Sequence, residues 1–256
     1  MEEETVKKLL PRCITIVLLV LILGVFLLFS LRNIPQFNIA KIEVIFQGGQ
    51  QRLPRAIQQD LSGRIGTSLF SFSLGKLEKA YEMHPAIEAV QIKRSLPATM
   101  RLEFTLVNAS ALLVNNENQR SFLVVNTSIY ELELEDVSLF SASVPTIEVP
   151  LSYCEMMQKF GLDQTFYQVM ALSSSLQEKT SLITRIKYDN NSSNSFGKMV
   201  LELSSYNAHI WVREPVGEAH VRSAVALVEK DQQKTLSFLS SEPKRYDLYR
   251  EGLVRR

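Results

Sequence analysis

Three histidines, two cysteines and one alternating run of carboxylates are the residues with which this chain could do chemistry. Glu131, Glu133 and Glu135 fall two apart, so in a strand they would share one face, open to a cation or to water. Exposed charge on a sheet is the commoner explanation. His209 alternates with Ile210 beside Trp211 and reads as a sheet-face residue. His220 stands near Glu218 and Arg222 on a helical stretch and reads as part of a solvated face. His84 precedes Pro85, which biases it away from helix and makes it a boundary residue rather than a ligand. Cys13 and Cys154 are too few for a disulfide framework or a Cys-based zinc cluster, and Cys154 is expected as a buried free thiol. The chain has no Gly-x-Ser-x-Gly elbow, no Gly-x-x-x-x-Gly-Lys-Ser/Thr loop, no Gly-x-Gly-x-x-Gly and no Asp-x-Asp pair. From these residues we expect no enzyme, no cofactor and no metal. A pocket joining His209, Trp211 and a carboxylate would reopen the question.

The composition narrows the class further. Lys and Arg number 28 against 27 Asp and Glu, a formal net charge of +1. That balance excludes nucleic-acid binding through a basic stripe. With 46% apolar residues the 256-residue chain has the material for a core and is not of disordered composition.

Much of the apolar material sits in one run. Residues 13–31, from Cys13 through Ile14 to Leu31, carry no charge. At ~1.5 Å per residue such a helix would span roughly 28 Å, close to a bilayer's hydrocarbon core. The run is longer than a signal-peptide core, and Ser30-Leu31-Arg32-Asn33 offers no small-x-small cleavage site. Lys7, Lys8 and Arg12 precede it and Arg32 follows, which predicts a cytoplasmic N-terminus. The expectation is a bitopic protein: a cytoplasmic tail at 1–12, a transmembrane helix at 13–31, and the bulk outside the cytoplasmic membrane.

The remainder of the chain reads as two folded units. In the first, Ala40, Ile42, Val44 and Phe46 alternate as a strand that Gly48-Gly49 ends. Pro54 is placed as the first residue of a helix with Ile57 and Leu61 on its buried face and Gly63 as its stop. A short extended stretch is predicted over Ser68–Phe72. Ser73 is placed as N-cap of a second helix with Leu74, Leu77 and Tyr81 on one stripe. Strands at Ile87–Arg94 and around Met100, Leu102, Phe104 and Leu106 complete a β-α-α-β-β order. Two helices on one face of a three-stranded sheet make a two-layer module.

This module resembles a POTRA domain, and its motifs resemble those of the FtsQ/DivIB family of bacterial cell-division proteins. The residues that carry the resemblance are Phe37-Asn38-Ile39 to Val44, Gly66-Thr67-Ser68-Leu69-Phe70, and the run His84-Pro85-Ala86-Ile87 to Val90. Beyond these lies Ile92-Lys93-Arg94-Ser95-Leu96-Pro97-Ala98-Thr99-Met100. The exit Leu106-Val107-Asn108-Ala109-Ser110-Ala111 departs from the family's usual Glu-x-x-Pro-x-Ala-like step.

In the second unit, Leu112–Val114, Ser121–Asn126 and Ser128–Leu132 read as short strands, followed by an apolar step at Val144–Ile147. A helix is predicted over Asp163–Glu178 with Asp163 as N-cap and a core stripe of Phe166, Val169, Met170, Ser173 and Leu176. Strands come next at Leu182–Tyr188, Met199–Leu203 and Ala208–Val212, with a polar hairpin loop at Asn190–Ser195. A helix near Gly217–Lys230 presents Val221, Ala224, Val225 and Val228. The segment Tyr246-Asp247-Leu248-Tyr249-Arg250-Glu251-Gly252-Leu253-Val254 is similar to the family's C-terminal Asp-Leu-Arg-Tyr strand and its following Gly. The expected fold is α+β: one N-terminal transmembrane helix, a POTRA-like domain at 36–109, and a mixed β-sheet domain with packed helices at 110–256.

Strand Arg245–Arg250 is read as the last of the chain and as a sheet edge. An edge strand can pair with an extended partner segment. Tyr246, Leu248, Tyr249 and Leu253 would then supply selectivity. The resemblance implies that this region docks an FtsB/DivIC-like partner, with FtsL-like proteins beside it. The candidate partner-binding residues are Tyr246, Asp247, Leu248, Tyr249, Arg250, Gly252, Leu253 and Val254. The expected function is a non-catalytic bitopic scaffold at the division septum, with no nucleic acid and no small-molecule substrate. The alternatives are a membrane-anchored enzyme with an unfamiliar site and a POTRA-bearing assembly or transport factor.

Overall fold

The computed structural model describes residues 18–22, 24, 34–47, 52–115, 117–179, 182–190, 196–234 and 242–256. Of the expected membrane segment only residues 18–22 and 24 are described, as helix, and the rest of 13–31 lies outside the described residues. Among the described residues no helix is long and apolar enough to cross a membrane. The chain divides into two compact units, Met1–Leu106 and Val107–Arg256.

The first unit has the expected order: β1 (Lys41–Phe46), α1 (Arg55–Arg64), α2 (Leu74–Glu82), β2 (Ile87–Ser95) and β3 (Thr99–Leu106). The sheet order is β1-β3-β2, with β1 parallel and β2 antiparallel to β3. Period-two alternation puts Met100, Leu102 and Phe104 on one face, where they meet Ile57 and Leu61 of α1 and Leu77 and Tyr81 of α2. Asp60 of α1 accepts hydrogen bonds from Arg64 at 2.8 Å and from the Tyr81 hydroxyl at 2.5 Å, so the two helices are tied across their tops.

Three local expectations are corrected. Pro54 is the N-cap of α1 rather than its first residue. Gly63 lies inside α1, and the chain turns at Gly66, whose φ of +84° suits a residue without Cβ. Ser68–Phe72 is not extended; it is a series of turns joined to the segment before β1 by an isolated bridge, Asn38 to Ser68. Arg94 explains why those turns hold. Its Nε donates to Leu69 O at 2.7 Å, its Nη2 to Phe72 O at 2.8 Å, and its guanidinium stacks over Phe70. Ser73 occupies the N-cap position of α2, with no side-chain cap bond. His84 sits just past that helix, where its Nδ1 accepts from the Ala86 amide at 3.2 Å, as befits a boundary residue. Gly48 and Gly49 lie outside the described residues.

The second unit is built on nine strands: β4 (Ala109–Asn115), β5 (Arg120–Val125), β6 (Ser128–Leu132), β7 (Thr146–Glu148), β8 (Arg185–Asp189), β9 (Lys198–Leu203), β10 (Ala208–Val212), β11 (Lys244–Tyr249) and β12 (Gly252–Arg255). Their spatial order is β12-β11-β10-β9-β8-β7-β4-β5-β6. Among the described residues three α-helices accompany it: α3 (Leu151–Phe160), α4 (Gln164–Lys179) and α5 (Glu218–Lys234). One sheet face is apolar, with Leu201, Ile210, Tyr246 and Leu248 in a core shared with Phe166, Val169 and Leu176 of α4 and Val221, Ala224, Val225 and Val228 of α5. Asp163 caps α4 as expected, its Oδ1 accepting from the Phe166 amide at 2.7 Å. Its Oδ2 accepts from the Tyr153 hydroxyl at 2.5 Å, which joins α3 to the cap.

Helix α3 has no counterpart in the sequence reading. Its buried residues Tyr153, Cys154 and Met157 are too few over ten positions to show a stripe. The strand expected over Leu182–Tyr188 begins only at Arg185, and residues 191–195 of the expected hairpin loop lie outside the described residues. Glu131, Glu133 and Glu135 do not share a strand face. Strand β6 ends at Leu132, and the chain enters a 3-10 turn at Leu134. Glu131 is held by Arg120, whose Nε lies 2.7 Å from it. The largest correction falls at the C-terminus. The strand read as last and as an edge is β11, which lies between β10 and β12; the edge is β12.

Candidate partner-binding site

The C-terminal hairpin begins at β11, which lies parallel to β10 with Trp211 opposite Asp247 and Val212 opposite Leu248. It turns through Arg250 and Glu251, and Gly252, at a φ of +152°, opens β12. The return is antiparallel: Asp247 faces Val254 and Leu248 faces Leu253. The Arg256 amide donates to Arg245 O at 2.9 Å. Antiparallel pairing alternates, so Gly252 and Val254 share the inward orientation, while the backbone groups of Leu253 and Arg255 point to the open side of the sheet. Among the described residues no strand pairs with that side.

The eight residues singled out in the sequence divide into two groups. Tyr246 and Leu248 face the helices and are 3% and 2% exposed. Asp247 is 2% exposed on the opposite face. These three anchor the strand. Tyr249 and Leu253 are half-buried; Arg250, Gly252 and Val254 are exposed. Arg250 fastens the turn, its amide donating to Glu214 and its Nε to Pro215 O, both at 3.3 Å. Val254 presents an apolar side chain, 46% exposed, on the edge strand itself.

Two carboxylates hold the hairpin in place. Asp231 of α5 accepts from the Tyr246 hydroxyl at 2.6 Å and pairs with Arg255 at 3.1 Å, so one helix residue grips both strands. Burial first, and then the bond to Asp231, push the Tyr246 phenol up to about 12. Asp247 is ringed by Arg256 at 3.1 Å and by Arg213 and Arg245, both at 3.3 Å. Burial works against its charge. The hydrogen bonds from Arg256 and Arg245 and the charge of Arg213 outweigh it and hold the carboxyl below the usual carboxylate range.

Sequence reasoning missed the three arginines around Asp247. Alternation alone places Trp211 and Arg213 on one face, but only the pairing of β10 with β11 brings them to Asp247. The histidine and tryptophan of that face do not build a catalytic set. His209 Nε2 is 3.9 Å from Glu202, beyond hydrogen-bonding distance, and the Asp247 carboxylate is occupied by guanidinium groups. Among the described residues no group of three His, Cys, Asp or Glu is placed to hold a metal ion.

The β-α-α-β-β order, the β1-β3-β2 sheet and the two helices on one face define the first unit as a POTRA domain. Residues 37–105 match the family model of the POTRA domain, FtsQ-type. The match supports the resemblance to the FtsQ/DivIB family over its POTRA segments, from Phe37 through the turns at Gly66 to Arg94 and β3, and does not extend to the C-terminal segment Tyr246–Val254. The chain therefore bears an FtsQ-type POTRA domain over residues 37–105. No curated protein matches the chain.

Proposed function

We propose that the chain is a non-catalytic, single-pass scaffold of the bacterial division machinery. It is held in the cytoplasmic membrane by residues 13–31, with its N-terminus in the cytoplasm and its two folded units outside, at the septum. Its partners are other bitopic division proteins of the FtsB/DivIC and FtsL types. They dock on the second unit by adding an extended segment to the open side of β12. The single observation that carries this docking mode is the edge position of β12, with the Leu253 and Arg255 backbone groups directed outward beside the exposed Val254. Backbone bonds supply affinity in such pairing, and the flanking side chains supply selectivity. Membrane confinement of both partners raises their effective concentration.

The test is a pull-down from detergent-solubilised host membranes with the full chain as bait. A cut after Pro243 would remove Tyr246 and Leu248 from the core, so the informative variants are smaller. One ends after Glu251 and lacks only β12 and Arg256; the other is Val254→Asp, which leaves the core intact. The expected result is capture of bitopic division proteins by the full chain and loss of that capture in both folded variants. Equal capture by all three would remove β12 as the docking edge. Capture of no division protein by the folded full chain would overturn the scaffold reading itself.

A further inference from the structure

One end of the POTRA domain carries no charge. Strand β1 starts where β3 starts and β2 stops, since Thr99 pairs with both Lys41 and Ser95. Helix α1 stops and α2 starts at the same end, because the turns between them are bonded to the segment that leads into β1. The Gly66 amide donates to Ile39 O at 2.8 Å, the Ile39 amide to Thr67 O at 2.8 Å and the Leu69 amide to Phe37 O at 2.9 Å. On the other side of that segment the Ala40 amide donates to Ala98 O at 2.8 Å. Residues 34–40, 65–73 and 95–99 are thus gathered into one tip. None of them is Asp, Glu, Lys, Arg or His, although 21% of the chain is charged. Connecting segments that face water are ordinarily polar. Here Ile65 is 56% exposed and Leu96 63%, and Pro35, Ala40 and Pro97 are exposed in the same segments. The opposite end of the domain is bordered by Arg52, Glu82 and Glu88.

This is also the end at which the chain arrives from the uncharged run 13–31. Three peptide steps separate Leu31 from Ile34, about 11 Å at full extension. The polar interface of a bilayer is itself about 5–8 Å deep on each side of the hydrocarbon core. A transmembrane helix at 13–31 therefore places the entry segment at the level of the headgroups. We infer that the uncharged tip rests on the bilayer that holds the anchor, with Ile65 and Leu96 as its immersed contacts. The inference rests on the proposed reading of residues 13–31 as membrane-spanning. Apolar side chains gain by leaving water at the interface, whereas a charge lowered there has to shed its hydration. Lys41, Arg64 and Arg94 border the three segments. Each is engaged within the domain, with Glu43, with Asp60 and with the Leu69 and Phe72 carbonyls, so the contact is apolar rather than electrostatic. A protein could also cover apolar side chains, but the nearness of the anchor favours lipid. A tether alone leaves a domain free to tilt. Contact through the turns at 65–73 and 95–99 as well sets its orientation, with the three strands rising away from the membrane surface.

The test uses the full chain with Cys13→Ser, in phosphatidylcholine nanodiscs in which part of the lipid carries a nitroxide on an upper acyl carbon. Cys154 is fully buried, so a single introduced cysteine takes an environment-sensitive fluorophore. Three positions are compared: Gln36→Cys on the entry segment, Thr67→Cys on the tip, and Met83→Cys, 85% exposed past the far end of α2. Nitroxide quenching is expected at Gln36 and Thr67 and not at Met83. Ile65→Ser combined with Leu96→Ser is expected to remove most of the quenching at Thr67 and to spare that at Gln36. Both residues are exposed, so the core is untouched. Quenching at Gln36 with none at Thr67 leaves the anchor standing and overturns the tip contact. So does quenching at Thr67 that survives the double substitution, which tethering alone would produce. A blue-shifted Thr67 label without nitroxide quenching would put protein rather than lipid on the tip and overturns it as well. A chain that fails to enter the discs, with no quenching at any position, overturns the anchor and with it the contact that rests on it.

Discussion

Tyr246 donates its phenolic hydrogen to Asp231 at 2.6 Å and so fastens strand β11 to helix α5. Because Asp231 also pairs with Arg255, the position of the edge strand depends on a helix residue that the last segment of sequence does not contain. Tyr246→Phe removes one hydrogen bond to a charged acceptor and leaves the Asp231–Arg255 pair in place. We expect a loss of about 1.5–3 kcal/mol in denaturant unfolding. Asp231→Asn weakens both grips and should raise amide hydrogen exchange across Leu253–Arg255 more than in the rest of the sheet. Uniform exchange across the sheet in that variant would show that Asp231 does not position the edge.

Arg94 plays the corresponding part in the POTRA domain. Its two bonds to the Leu69 and Phe72 carbonyls need a planar, forked donor, and Lys cannot reproduce them. Arg94→Ala and Arg94→Lys are both expected to destabilise this unit by about 2–3 kcal/mol. Both should open residues 66–73 to limited proteolysis. Full recovery of protease resistance by Lys would show that charge alone suffices there.

The pH dependence has two limbs. The Asp247 carboxyl is held below its usual range in the folded state, and so is that of Asp60, where burial opposes and the Arg64 and Tyr81 bonds prevail. Groups of this kind contribute stability that is present above their unfolded pKa, about 3.9, and lost as pH falls through the lower folded value. The Tyr246 phenol is raised instead, to about 12, so its contribution is complete below about 10 and is lost as pH rises from there. The denaturant midpoint should therefore fall below about pH 4 and above about pH 10. Tyr246→Phe should flatten the alkaline limb and leave the acid limb in place. An alkaline limb of unchanged slope in that variant would assign it to other phenols, among them Tyr81 and Tyr153, which are raised in the same direction.

Cys154 is a packing residue of α3. It has no exposed surface, and burial pushes its thiol up to about 12. In a Cys13→Ser background we expect maleimide labelling of Cys154 to be negligible in the native state near neutral pH and rapid in denaturant. Fast native labelling would mean that α3 opens locally on the time scale of the reaction.

A core substitution separates the two units. Phe166 is fully buried, with its ring centroid 5.7 Å from those of both Tyr153 and Tyr188. Phe166→Ala should cost about 3–5 kcal/mol in the second unit. Unfolding followed by a probe in the POTRA domain reports whether the loss stays local. A transition there that shifts equally would indicate that the two units unfold together.

The sequence by itself determined the elements whose periodicity is strong. Leu102 and Phe104 had to lie on one sheet face, Val221 and Val228 on one helix face, and Asp163 at a helix start, because these follow from local geometry and hydrogen-bonding capacity. Arg94 was legible as part of a motif, although what it binds was not. Only the tertiary structure decided where each element sits. Strand β12 is four residues long and too short for a periodic signal, so β11 read as the edge although it is an inner strand. The same holds for the side chains gathered at Trp211. Lys198, Trp211, Arg245 and Asp247 are separated along the chain and lie on three different strands, and their meeting depends on a parallel pairing of β10 with β11 that no local pattern encodes. Local geometry sets which way a side chain points, and only long-range pairing sets what it meets.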